Sequence, residues 1–193
     1  GVCPETSSSL LSDIIASSER CLCVNVYELW SDWIASALIG AKERGVDVRI
    51  LLEGGPEGGG SQLEKAELSR LVGAGIEVRL MWNDAASNSR DRYHYDHAKY
   101  VVADGGKILV SSDNFKDTSF PPEGFVPVLG TRGWVVMAWS DELASGMMRV
   151  FEEDWNGDDM RPAIDVLELP SASEVPGQGI DLVRTDLSET RIT

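Results

Sequence analysis

Asp104-Gly105-Gly106 lies between two β-rich runs, Tyr100 to Ala103 and Ile108 to Val110. An acid followed by paired glycines between such runs is a strong tight-turn signal. The stretch from His97 to Asn114 therefore reads as a β-hairpin. No other feature constrains the chain as much, because a hairpin brings the polar residues at its two open ends together.

In a strand, residues i and i+2 share a face. His97 and Lys99 therefore project together, as do Ser112 and Asn114. With Gly105-Gly106 as a two-residue loop, Lys99 lies opposite Ser112 and His97 opposite Asn114. With Asp104-Gly105 as the loop, His97 lies opposite Ser112. Either alignment gathers an imidazole, an ammonium, a hydroxyl and a carboxamide on one face, with cross-strand neighbours roughly 5 Å apart. That set suits a phosphate. Lys99 offers charge-assisted bonds, Ser112 and Asn114 offer neutral donors, and His97 is placed to attack phosphorus or move a proton.

The spacing goes further than the chemistry. His-x-Lys, four residues, Asp, six residues, then a small residue, Ser, x and Asn resembles the signature of the phospholipase D superfamily. It is carried here by His97, Lys99, Asp104, Ser111, Ser112 and Asn114. Ser111 stands where that family usually has glycine. For His-x-Lys alone, a solvated hairpin with a stray His and Lys is the competing reading. The whole spaced pattern on a glycine-turned hairpin argues against it. Ala41 to Arg49, Ala-Lys-Glu-Arg-Gly-Val-Asp-Val-Arg, also resembles the helix-to-strand step of phospholipase D halves. The likeness covers roughly residues 7 to 155.

The rest of the chain is compatible with that resemblance. Its 193 residues fit one domain of about 1–156 and a linker-like tail of about 157–193, marked by Pro162, Pro170 and Pro176 among Ser, Gly and acidic residues. No apolar run approaches the ~18 residues of a membrane span; the sequence starts at Gly1 without Met, and no signal peptide is expected within it. The net charge of −15 counts against a nonspecific nucleic-acid binder, whose affinity comes from neutralising phosphates. The three cysteines, Cys3, Cys21 and Cys23, contain no Cys-x-x-Cys pair, so a structural zinc site is not expected and no metal site is assigned. Cys21 and Cys23 read as packing residues of a strand. No cofactor is implied.

In order, Ser7-Ser8-Ser9 reads as the cap of a helix with Leu10, Leu11, Ile14 and Ile15 on one stripe. A strand follows from Cys21 to Tyr27. Ser31-Asp32 can cap the next helix, which Gly45 stops. Val46 to Leu52 is a buried strand, about Gln62 to Leu71 a helix, and Ile76 to Met81 a third strand. This βαβαβ rhythm predicts parallel strands covered by helices. The resemblance implies the matching α/β fold, an α-β-α sandwich with a mixed, largely parallel sheet. The glycine-rich run from Glu53 to Gly60 lacks the features of a Walker loop and reads as a rim of the cleft. Tyr93 and Tyr95 fall on the side of His97, while His94 and Asp96 face the other way. Phe115 to Pro127 reads as a loop over the site, and Gly133 to Trp139 as a further strand. Ser140-Asp141-Glu142 caps a last helix whose stripe of Leu143, Met147, Val150, Phe151 and Trp155 is expected in the core. Val166 to Leu169 suggests a short edge strand.

The resemblance also implies a mechanism. Two such hairpins face each other; one His becomes a phosphohistidine and the other protonates the leaving oxygen. The Lys and Asn side chains hold the phosphate charge, and Asp104 takes a structural role. The acidic residue that often orients the family's catalytic His falls near Gly133, where no carboxylate stands. This chain has one His-x-Lys, so it supplies half a site. The second half comes from a homodimer partner, or from the same parent chain beyond the tail. The start without Met and the proline-rich tail favour the longer parent. The substrate is a phosphodiester, phospholipid or nucleic acid, and the competing function is a non-catalytic phosphate-binding half.

Overall fold

A computed structural model describes residues 4–56, 62–82, 92–125, 127 and 129–166. The elements run α1 (Pro4–Ala16), β1 (Cys21–Val26), β2 (Leu29–Trp30), α2 (Asp32–Glu43), β3 (Asp47–Glu53), α3 (Gln62–Gly73) and β4 (Glu77–Met81). They continue with β5 (Lys99–Ala103), β6 (Lys107–Ser111), β7 (Phe115–Lys116), β8 (Val135–Trp139), α4 (Asp141–Trp155), β9 (Met160–Pro162) and α5 (Ala163–Val166).

β1 is the spine. Its last five residues are buried, as expected of a strand covered on both faces. β3 pairs with it in parallel and β4 in parallel with β3, the βαβαβ unit read from the sequence. On the other side β5 pairs with β1 antiparallel, followed by β6 and β8 in antiparallel order. The sheet order is β8-β6-β5-β1-β3-β4-β9, and a separate two-stranded pair joins β2 to β7. Within the seven-stranded sheet parallel pairing is confined to β1, β3 and β4, while the separate β2–β7 pair is also parallel. A hairpin such as β5–β6 can add only an antiparallel ladder, and the strands beyond it follow suit.

Two apolar layers follow from strand alternation. Val24, Val26, Val101, Ala103 and Leu109 face α1, α2 and α3, where they meet Leu11, Ile14, Ile34, Leu38, Leu68 and Leu71. Cys23, Tyr100, Val102 and Ile108 face α4, where they meet Ala144, Phe151 and Trp155. The result is the expected α-β-α sandwich. After α2 and α3 the chain turns through Gly45 (φ 92°) and Gly75 (φ 77°), a left-handed backbone that favours glycine.

Several local expectations are corrected. α1 begins at Pro4, so Ser7 to Ser9 lie inside the helix and not before it; proline suits a first turn, where no amide donor is needed. Ser31 precedes α2 with extended backbone, but its hydroxyl bonds the Asp117 carboxylate instead of a helix N–H. Ser140 does cap α4, accepting from Leu143 N at 3.3 Å. Phe151 and Trp155 are core, whereas Leu143 and Val150 are 52% and 51% exposed. Each lies one position from a buried face and is rotated about 100° away from it. Phe115 and Phe120 pack into the core at 5.3 Å between ring centroids, and Trp33 Nε1 donates to Phe120 O, so this segment is held on α2. Ordered packing continues past residue 156: Met160 to Pro162 joins the sheet beside β4, and Ala163 is fully buried. Met160–Pro162 forms the edge strand beside β4 among the described residues; Val166 belongs to α5, and the rest of the expected Val166 to Leu169 strand lies outside the described residues.

Candidate active site

Lys107 pairs with Ala103, Leu109 with Val101 and Val110 with Tyr100. Asp104-Gly105-Gly106 is therefore a three-residue connection, with Asp104 at φ 56° and Gly105 at φ 75°. Neither two-residue alignment is realised. A slip of one residue exchanges faces, so continuing the ladder puts Ser111, not Ser112, opposite Lys99.

At the turn, the Asp104 carboxylate accepts from the backbone N–H of Arg20 at 2.8 Å, of Glu19 at 3.1 Å and of Cys21 at 3.2 Å. Lys107 Nζ adds an ion pair at 3.3 Å. Burial alone would raise the Asp104 pKa. The backbone N–H groups and Lys107 outweigh it and hold the carboxyl below its ordinary value. This end of the hairpin stitches β6 to the start of β1.

The open end is built differently. His97 is exposed, and its ring lies 4.8 Å from that of Tyr27 at 60°. Tyr27 N donates to Ala98 O at 3.1 Å, fixing the two segments together. Lys99 is only 7% exposed. Its Nζ donates to His97 O at 2.8 Å and sits 5.4 Å from the Tyr27 ring centroid. Burial lowers the Lys99 pKa, while the carboxylates of Asp96, Glu28 and Asp113 work to retain its charge. Asn114 Nδ2 donates to Glu28 Oε2. His97, Lys99 and Asn114 are thus gathered around the Tyr27-Glu28 turn at the carboxyl end of β1, the end where open α/β sheets bind ligands.

Ser112 is exposed and engaged elsewhere. Its Oγ accepts from Trp134 N at 2.9 Å and donates to the Asp113 carboxylate at 3.1 Å. Ser111 accepts from Asp113 N at 2.9 Å and donates to Asp113 O at 3.1 Å. This hydroxyl turn ends β6 and swings Asn114 toward Glu28. A Cβ on Gly133 would fall 1.1 Å from Asp113 Oδ2. The Asp113 carboxylate fills the space that a side chain at 133 would need, which accounts for a glycine where an acidic residue was sought.

Beneath the site, Asp96 is 6% exposed. Its N–H donates to Glu53 Oε2 at 2.7 Å, and burial pushes its pKa up to about 6. Asn25 faces both Asp96 and Tyr100. Yet among the described residues the Asn25 amide, the Tyr100 hydroxyl and Asp96 Oδ2 are buried without hydrogen-bond partners. Tyr95 packs edge-on to Tyr27 at 6.1 Å. Tyr93 is exposed, and His94 lies 4.3 Å from the Tyr95 ring. Residues 57–61 of the glycine-rich loop lie outside the described residues. Its described start is packed, since a Cβ on Gly54 would meet Met81 O at 2.4 Å. Sequence reading did not single out Tyr27, Glu28 or Glu53. The signal was available, since Tyr27 and Glu28 directly follow β1 and Glu53 ends β3, both at the sheet's ligand-binding edge.

A family model described as "Cardiolipin synthase, PLD-like domain" matches residues 11–155. The chain belongs to the phospholipase D superfamily. Solved structures of low identity share its fold. Nuc, a phospholipase D family member from Salmonella typhimurium, aligns with a TM-score of 0.65 at 21% identity, over 80% of this chain and 88% of its own. NucT from Helicobacter pylori aligns at 0.58 and 15% identity, over 78% and 87%. A phosphatidylserine synthase from Haemophilus influenzae aligns at 0.56 and 13% identity, over 81% of this chain but 36% of its own. No curated protein matches the sequence. Among the described residues no helix is long and apolar enough to cross a membrane.

Proposed function

We propose that this chain is one half of a phosphodiester hydrolase or of a phosphatidyl or phosphoryl transferase that works through a phosphohistidine. One observation carries the reading: the exposed imidazole of His97 stands beside the buried ammonium of Lys99, both on Tyr27, with the Asn114 amide at the adjoining Glu28.

In the reaction, a neutral nitrogen of His97 attacks phosphorus and the P–O bond to the leaving group breaks. A second imidazole, protonated, gives its proton to that oxygen. Water or an alcohol then displaces His97 from phosphorus, losing its own proton to the now neutral second imidazole. Lys99 and Asn114 bear the phosphoryl charge, and Ser112 adds a donor if its hydroxyl rotates from Asp113. The roles require one imidazole neutral and one charged, hence two groups. The second His-x-Lys half comes from the same parent chain or from a homodimer partner. Local charge supports that need, because Lys99 faces the three carboxylates of Asp96, Glu28 and Asp113. A phosphodiester approaching this half needs further cations. The net charge of −15 favours a substrate other than nonspecific nucleic acid.

The single His-x-Lys favours a second reading, a phosphate-binding half without turnover. Hydrolysis of bis(p-nitrophenyl) phosphate by the assembled protein, homodimer or longer parent, and by its His97→Ala form separates the two, with acid-sensitive phosphoryl transfer to His97 followed by intact mass. Turnover lost in the variant, with a labelled wild type, supports the enzyme. Phosphate binding with no turnover in either supports the second reading. Neither binding nor turnover overturns both.

A further inference from the structure

The Asn114 carboxamide has two ends, only one of which can help a phosphate. Its Nδ2 donates, while its Oδ1 would repel a phosphoryl oxygen. Oδ1 is buried and has no hydrogen-bond partner among the described residues. Nothing on that side selects the orientation. On the other side stands Glu28, whose carboxylate accepts from Nδ2. An ionised carboxylate accepts only, so a flipped amide would set oxygen against oxygen. Glu28 therefore chooses which end of Asn114 faces the site.

The Glu28 side chain is not needed to hold its own segment. Phe115 N donates to Glu28 O at 3.0 Å and Tyr27 N to Ala98 O at 3.1 Å. Leu29 N is held by Glu64 Oε1 at 3.1 Å, and β2 pairs with β7 from Leu29 onward. The backbone is fixed on both sides of a half-buried carboxylate. That carboxylate also acts on Lys99, where it opposes the loss of charge that burial favours.

We propose that Glu28 is a positioning residue of the phosphate site. It holds the Asn114 amide with the second Nδ2–H directed at the phosphoryl oxygen. The role rests on the functional reading above, and it acts through Asn114.

A double-mutant cycle tests it. Wild type, Glu28→Ala, Asn114→Ala and the double variant are compared in kcat/KM for bis(p-nitrophenyl) phosphate and in Kd for orthophosphate by calorimetry. Glu28→Ala is expected to lose about tenfold in the native background and little once Asn114 is absent. Glu28→Gln, which can still accept from Nδ2 but can also flip, is expected to recover part of the loss. Unchanged melting temperatures show that folding is not the cause. Additive losses, or no loss in Glu28→Ala, overturn the role while leaving the phosphate site intact. A wild type that neither binds orthophosphate nor turns over substrate overturns the role and the site together.

Discussion

The two ends of one hairpin differ in kind. At the turn, Asp104 satisfies three backbone N–H groups and pairs with Lys107. At the open end, a few residues of strand away, an ammonium is buried against its own backbone and an imidazole is exposed, and among the described residues Asn114 Oδ1 and Asp96 Oδ2 have no hydrogen-bond partner. One end is saturated, and stability is its product. The other is left unsatisfied at a cost in stability, and groups held that way are available to a ligand.

The largest effect should come at the open end. His97→Ala is expected to lower turnover of a phosphodiester by about a thousandfold or more, with no loss of melting temperature, because the ring is exposed. A melting point that drops with activity would erase the contrast. Lys99→Met should cost about a hundredfold in turnover and yet raise the melting temperature, since it removes a buried ammonium whose desolvation is poorly repaid. Thermal melts beside kinetics check both halves of that expectation.

The turn should behave in the opposite sense. Asp104→Ala is expected to destabilise the chain by about 2 kcal/mol in denaturant melts, leaving kcat of the folded fraction unchanged. Its folded pKa lies below the unfolded value. Its contribution is therefore present above the unfolded carboxyl pKa and lost as pH falls through the folded one. Wild type and variant should converge in stability on acidification.

Asp96 acts with the reverse sign. Its folded pKa is about 6, above an unfolded value of about 3.9. The folded chain holds that proton more tightly, so the stabilisation is full below the unfolded value and lost as pH rises through about 6. Asp96→Asn should raise the melting temperature at about pH 8 and change it little at about pH 4. Equal shifts at both pH values would break the comparison at its buried edge.

Much of this was legible in advance. The glycine turn, the βαβαβ rhythm and the spaced His97, Lys99, Asp104, Ser112 and Asn114 depend on near neighbours along the chain, and local periodicity reports such neighbours well. The register was not legible. Two glycines allow several loop lengths, and the choice falls to Asp104 binding the start of β1, about 84 residues away. α4 differs from its sequence pattern for the same reason: Leu143 and Val150 keep helical spacing, but which stripe meets the sheet is settled by the sheet.

By itself the sequence determined the kinds of groups present and the short elements that carry them, because turns, caps and strand alternation are set within a few residues. Only the tertiary structure decided which groups meet. Tyr27 and Glu28 lie about 70 to 86 residues before the groups they touch, and Asp113 fills the space over Gly133. Such contacts arise from how strands pair and layers pack, and local pattern carries no record of that.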